Sequence, residues 1–272
     1  MQSKYNNVKI PGGITKENRK LLDLLNRQQR GPFTPQDAVE ILGMNYTKAI
    51  RLLAYWTERG WLARVRKGLY ITVPLGSINP AERREDSWII AASLFEPCYI
   101  GGWSACEHWG LTEQTFKDLI VITAHKIRER KISIQGTPFI LKRVQKKKIF
   151  GTKIVWRQQT KVKVSDPSRT LVDILDDPSI GGGMRHIGEI ISQYFEGEYK
   201  DTAKLLEYIK MINNRTIYKR LGYIIETLNL NYPSLIETCQ ANLSKGYSLL
   251  DPTISGKGPF LRRWNLQVNV NI

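Results

Sequence analysis

One stretch of the chain has the residue types and spacing needed to read DNA bases. Between Asn45 and Gly60, Thr47, Lys48, Arg51 and Tyr55 fall on one side of a helical wheel, while Tyr46, Ala49, Ile50, Leu53 and Trp56 recur at intervals of three and four on the other. Arg and Lys can donate to the O6 and N7 acceptors of guanine, and Thr can touch the thymine methyl. A few residues later, Trp61 to Thr72 alternates apolar and basic side chains around Lys67-Gly68, the dipeptide at which a hairpin must turn. Leu62, Val65, Leu69 and Ile71 would face inward and Arg64, Arg66 and Lys67 outward, where they suit phosphate or minor-groove contact, which positions more than it specifies. With the cap residues Thr34 and Asn45, the expected DNA-contacting set is Thr34, Asn45, Thr47, Lys48, Arg51, Tyr55, Arg64, Arg66 and Lys67.

A second basic block follows. Residues 126–163 hold 13 basic side chains and one acid, Glu129. Arg143, Lys146, Lys147, Lys148, Lys153, Arg157, Lys161 and Lys163 are its expected surface, either for DNA flanking the first site or for RNA; the competing reading is plain solubility. In Lys161-Val-Lys-Val164 strict alternation puts the two lysines on one face of a strand.

Catalytic and metal-binding readings are weaker. Ser104 lies in Gly102-Trp-Ser-Ala-Cys106, which lacks the second glycine of a nucleophile elbow and reads as a helix start. Cys98, Cys106 and His108 have no paired ligand spacing, and buried free cysteine is the commoner state. His125 and His186 have no visible acid or nucleophile partner. Asp173, Asp176 and Asp177 are the one enzyme-like cluster, since metal-dependent nucleases use grouped acids. However, Asp176-Asp177-Pro178 suits a turn, and Asp173 can pair with Arg169 one helical turn back. Gly181–Gly183 reads as a hinge or loop and lacks the Lys-Ser/Thr of a phosphate-binding loop. No catalytic residue, metal or cofactor is therefore expected.

The elements that would carry these residues are legible from caps and breakers. A first helix spans Thr15 to Gln28. A second starts at Thr34-Pro35, with Thr34 as N-cap and Asp37 in the first turn, and Gly43 stops it; the third, Tyr46 to Arg59, is capped by Asn45. Two short helices around a Gly-containing turn, followed by a hairpin, make a winged helix-turn-helix over residues 1–75. Pro74 to Pro80 reads as the linker to a larger domain, 76–272, strand-rich over 95–165 and helical over 166–245. Helices are expected over Arg83–Leu94, Ser104–Trp109 and roughly 184–195, 201–212, 215–229 and 233–244, with a helix start at Ser165-Asp166-Pro167. Strands are expected at Leu119–Thr123, Ile132–Ile134, Phe139–Val144, Lys153–Arg157 and Lys161–Val164, and the last 25 residues look extended. The fold class is α+β, a winged helix-turn-helix before a mixed domain with antiparallel strands and a helical C-terminal part.

Bulk properties narrow the function classes. The 272 residues carry 41 Lys and Arg against 25 Asp and Glu, a net +16, which favours a polyanionic partner. Residues 1–75 contribute +8 and residues 126–163 contribute +12, so the remainder is slightly acidic. No apolar run reaches the ~18 residues of a membrane span, and the first ten residues lack the apolar core of a secretion signal. Three unevenly spaced cysteines fit a reducing compartment, so the cytoplasm is expected and no membrane contact.

Taken in order, several segments resemble the AbiEi-type antitoxins of type IV toxin–antitoxin systems. They are Arg66-Lys-Gly-Leu-Tyr70, Tyr99-Ile-Gly-Gly-Trp-Ser-Ala105, His108-Trp-Gly-Leu-Thr112, Val164-Ser-Asp-Pro-Ser-Arg-Thr-Leu-Val-Asp173 and Arg220-Leu-Gly-Tyr-Ile-Ile-Glu226. Asp166-Pro167-Ser168 stands where such antitoxins carry Ser-Pro-Glu, a departure that leaves the helix start intact. The resemblance implies an abortive-infection, phage-defence protein in two parts. A winged helix would bind inverted repeats in double-stranded operator DNA and repress its own operon, and a C-terminal part would counter a nucleotidyltransferase-like toxin without a stable complex. Two other classes stay open: a winged helix fused to a nuclease or nucleotidyltransferase, and a plain transcription factor with a sensing or dimerisation domain.

Overall fold

The computed structural model describes residues 13–29, 31–73 and 84–272, so the linker expected at Pro74–Pro80 lies outside the described residues. The chain divides into two compact units. One holds the described residues up to 94 with 132–138 and 156–162; the other holds 95–131, 139–155 and 163–272.

Capping chemistry starts and stops the first three helices. In α1 (Lys16–Gln28) the Thr15 hydroxyl accepts the Asn18 backbone N–H, and the Asn18 side chain accepts the indole N–H of Trp56 at 2.9 Å, which ties α1 to α3. In α2 (Pro35–Leu42) Thr34 and Asp37 form a reciprocal capping box: the Asp37 N–H donates to the Thr34 hydroxyl and the Thr34 N–H to the Asp37 carboxylate. Gly43 ends α2 at φ 62°, a left-handed conformation that a side chain would strain. The Asn45 amide oxygen accepts the Lys48 N–H at 2.9 Å and opens α3 (Tyr46–Glu58). Leu22, Leu25, Phe33, Ala38, Leu53, Trp56, Trp61, Leu62 and Tyr70 close one core beneath these helices.

The hairpin β1 (Leu62–Arg66) and β2 (Leu69–Thr72) turns at Lys67-Gly68, with Gly68 at φ 77°. Leu62 and Val65 are three residues apart yet both buried, which strict alternation forbids. A register shift between Arg64 and Arg66 supplies the extra residue. Phe33 exchanges two backbone hydrogen bonds of 2.9 Å with Tyr70 and so ties the segment before α2 to β2 by an isolated antiparallel bridge.

The next six strands form one mixed sheet, in the order β5-β6-β4-β3-β8-β7. Its members are β3 (Cys98–Ile100), β4 (Leu119–Thr123), β5 (Lys131–Ile134), β6 (Thr137–Arg143), β7 (Thr152–Arg157) and β8 (Thr160–Ser165). The antiparallel arrangement expected from the sequence holds for β3 with β4, but β4 runs parallel to β6 and β3 parallel to β8. The cause is the order of placement. The chain lays the outer strand of each hairpin first, β5 and then β7, so the returning strand enters beside the centre running the same way. β4 is buried at all five positions, which is why it reads as an unbroken apolar run.

Six helices accompany the sheet: α4 (Ser87–Phe95), α5 (Gly102–His108), α6 (Pro167–Asp176), α7 (Met184–Glu196), α8 (Thr202–Ile212) and α9 (Thr216–Thr227), followed by α10 (Pro233–Ala241). α4 begins four residues later than expected and α5 two residues earlier, at a Gly102 held at φ 54°. The final 25 residues are mostly turns and loops; the extension expected there is confined to β9 (Ser248–Leu249), β10 (Phe260–Leu261) and β11 (Leu266–Gln267). Among the described residues no helix is long and apolar enough to cross a membrane.

Candidate nucleic-acid interface

Ala49, Leu53 and Trp56 are fully buried and seat α3 on its core. The opposite side leaves Thr47, Lys48 and Arg51 exposed, with Tyr55 at the exposed margin. Tyr55 is not free to swing. Its ring meets Trp61 edge-on at 5.8 Å, and the Arg59 guanidinium lies 5.3 Å from it. Of the two cap residues, Asn45 is exposed and spends only its amide oxygen on the cap, whereas the half-buried Thr34 hydroxyl is committed to Asp37. On the hairpin Arg64, Arg66 and Lys67 are exposed; Arg64 leans over the Tyr70 ring at 5.7 Å.

The stripe that seats α3 is narrower than the sequence suggests. Tyr46 and Ile50, assigned to it by spacing, are 52% and 40% exposed. Tyr46 is the first residue of α3, so no preceding turn exists for it to pack against, and Ile50 lies one turn on in the same row. The buried stripe is Ala49-Leu53-Trp56, and Tyr46 and Ile50 join the exposed side. Periodicity alone does not separate the edge of a stripe from its centre. The signal available was the position of Tyr46 directly after its own cap.

The second basic block is less uniform than its count implies. Within the second unit Arg143, Lys146, Lys147, Lys153 and Lys163 are exposed, Lys148 is half-buried, and the Lys148 carbonyl accepts from Arg169. The Lys153 ammonium sits 5.3 Å from the Trp109 ring centre. Three other cations of the block are taken up by acids: Lys131 by Asp118, Lys142 by Asp176 and Asp177, and Arg130 by Asp177. Within the first unit Arg157 is half-buried against Trp88 at 4.2 Å, and Lys161 is exposed with its ammonium 5.2 Å from the ring of Trp156. Trp156 is itself 59% exposed, an aromatic beside a cation that charge counting did not single out.

The acidic cluster resolves into structural pairs. Asp173 is buried; Arg169 donates to it and to the Tyr99 phenol oxygen, and that phenol donates to Asp173 at 3.0 Å. Burial pushes the Asp173 carboxyl above its ordinary pKa, with Arg169 and Lys142 pulling it back, and pushes the Tyr99 phenol well up. Burial acts the same way on Asp176 and Asp177, but Lys142 overrides it: with Asn214 and Ser179 it holds both carboxyls below the ordinary range. Asp177 also caps the 3-10 turn at Pro178–Ile180. Ser104 is buried and accepts the Ile120 N–H. Burial drives the Cys98 and Cys239 thiols up to about 12 and that of Cys106 higher still. Among the described residues no three His, Cys, Asp or Glu side chains are grouped to hold a metal ion. At Gly181–Gly183 the place an anion would take is filled from within, because the Asp251 carboxylate accepts the N–H of Met184 at the start of α7.

The other segments that carry the family resemblance are scaffold. Asp166 caps α6 and takes bonds from Tyr208 and Lys204, and Ser168 bonds Tyr194. Arg220 donates to the carbonyls of Leu250, Leu175 and Leu249. The Trp264 ring lies against Gly222 so closely that a Cβ there would collide with it, and Glu226 accepts the Trp264 indole N–H at 2.6 Å.

No curated protein matches the sequence. In fold the chain is similar to the RV2827C protein from Mycobacterium tuberculosis, whose crystal structure superposes with a TM-score of 0.62 at 15% identity, covering 96% of this chain and 94% of that one. Residues 20–73, from within α1 to just past β2, match the family described as "Transcriptional regulator, AbiEi antitoxin", the family whose motifs the sequence resembles.

Proposed function

We propose that the chain is the antitoxin of a type IV toxin–antitoxin system. Residues 1–75 act as a winged helix-turn-helix that binds inverted-repeat operator DNA and represses its own operon. The rest counters a nucleotidyltransferase-like toxin without a stable complex and without catalysis. The observation that carries the reading is the exposed row Thr47-Lys48-Arg51 on a helix seated by Ala49, Leu53 and Trp56, beside a hairpin that exposes Arg64, Arg66 and Lys67. The match over residues 20–73 supports the same reading, since it spans that module. The acids of the one enzyme-like cluster each hold a cation or a cap, which supports a non-catalytic C-terminal part. For the second basic block, the pairing of exposed Trp156 with Lys161 supports a contact with single-stranded nucleic acid, where bases stack on aromatics beside cations.

The test uses DNA from directly upstream of the gene. Lys48→Ala and Arg51→Ala should each weaken specific binding by about 1–3 kcal/mol while leaving binding to random duplex nearly unchanged. The double variant, expressed from a foreign promoter, should lose repression yet still relieve the toxicity of the neighbouring gene product. Normal operator binding by the double variant would remove α3 from the interface. Loss of both functions at once would refute the division of labour.

A further inference from the structure

On the proposal that α3 reads base edges, its exposed apolar pair needs an account. Tyr46 and Ile50 are four residues apart and form one row along the helix; Thr47 and Arg51 form the adjacent row. All four lie in the N-terminal half of α3, the part of a recognition helix that reaches into the major groove. Leaving a tyrosine and an isoleucine half in water, amid Thr47, Lys48 and Arg51, gains nothing for the fold. The core beneath is already closed by Ala49, Leu53 and Trp56.

The major groove offers one apolar feature, the C5 methyl of thymine. We infer that Tyr46 and Ile50 are specificity residues that read thymine methyls, next to a guanine read by Arg51. The charge around the pair favours DNA over a second copy of the chain. Exposed Lys48 and Arg51 share the helix with it, the hairpin that follows exposes Arg64, Arg66 and Lys67, and residues 1–75 carry a net +8, which repels a like surface and attracts phosphate. The position of the row also sets an expectation for the site: the thymines adjoin the guanine and lie toward the end of the half-site nearest the N-terminus of α3.

The experiment separates the methyl from the base. The full-length protein selects duplexes from a random library made with thymine, and from a second library made with deoxyuracil in its place. With thymine, the selected sites should carry thymine at one or two positions beside a guanine. With deoxyuracil, those positions should lose their preference while the guanine stays. In a selected duplex, replacing one such thymine by uracil should weaken binding about four-fold, the worth of one methyl buried against an apolar side chain. Ile50→Ala or Tyr46→Ala should bind the thymine and uracil duplexes alike; both positions are exposed, so the variants fold. Identical sites and affinities with and without the methyl would overturn the inference and leave base reading by Arg51 standing. Enrichment in neither library would overturn base reading itself, and this inference with it. If Ile50→Ala abolished self-association in sedimentation and left the methyl effect intact, the pair would be an interface between copies and the assignment would fall.

Discussion

At the scale of single residues, the buried charges of the larger unit carry the most consequence. Arg169 and Asp173 are 1% and 5% exposed at the side chain, and Tyr99 completes the network. Two ions removed from water are tolerable while they satisfy each other, but removing one strands the other. Asp173→Ala should therefore cost about 3–5 kcal/mol of stability, read from the urea midpoint. Replacing both partners with apolar residues, Arg169→Met with Asp173→Leu, should cost much less than the single change. If the single variant lost under about 1 kcal/mol, the guanidinium would have found other partners and the network would not be a unit. The sequence suggests the Arg169–Asp173 pairing from i,i+4 spacing. It holds no sign of Tyr99, 70 positions from Arg169, because nothing in local spacing encodes a partner brought in by the sheet.

Among elements, the link between the β6 strand and the end of α6 gives a pH dependence. Lys142 holds the carboxyls of Asp176 and Asp177 below their ordinary pKa. A carboxylate depressed in the folded state stabilises it above the unfolded pKa, about 3.8. That stabilisation is lost as pH falls through the folded value. Stability should thus drop below about pH 4, and Lys142→Met should flatten the acid limb of the urea midpoint against pH. An unchanged acid limb would mean that the two aspartates titrate independently of Lys142. Elements themselves were the most legible feature. Thr34 and Asn45 announced their helices because a cap is a local bond between a side chain and an N–H three residues on; Thr15 and Asp166 cap theirs in the same way, at starts read from the sequence without naming the cap. Strand direction was not legible. Whether β6 lies parallel or antiparallel to β4 depends on which strand of a hairpin is laid down first, and no residue records that order. The candidate interface was legible in its polar members and misread at Tyr46 and Ile50, where a stripe edge met a helix end.

For the whole molecule, the net charge of +16 is not one reservoir. Part of the excess in 126–163 is met by Asp118, Asp176 and Asp177 from outside that block. What stays exposed includes Lys146 and Lys147, on a 3-10 turn. If these touch a nucleic-acid backbone, Lys146→Gln with Lys147→Gln should lower the slope of log K against log salt by about 2, roughly 0.9 for each phosphate left without its cation. A slope identical to that of the parent would assign the pair to solubility. The fold is shared with the RV2827C protein at 15% identity, so the architecture tolerates wide sequence change. The motif residues Tyr99, Asp173, Arg220 and Gly222 are used up in holding that architecture together.

The clamp on the C-terminal segment has a further meaning for the life of the chain on the ribosome. Trp264 fills the space above Gly222, and Arg220 reaches the carbonyls of Leu249 and Leu250. Helix α9 is therefore synthesised well before the residues that cover it. Until residues 249 and 250 emerge, Arg220 has only the earlier carbonyls of Leu175 and Asp176 to bind, and until residue 264 emerges the Gly222 face has no indole upon it. The larger unit cannot finish folding one helix at a time as it is made; its completion waits for the codon of Trp264. A message cut short between residues 162 and 264 yields a chain whose first unit can be whole while the larger unit stays uncovered and open to proteases.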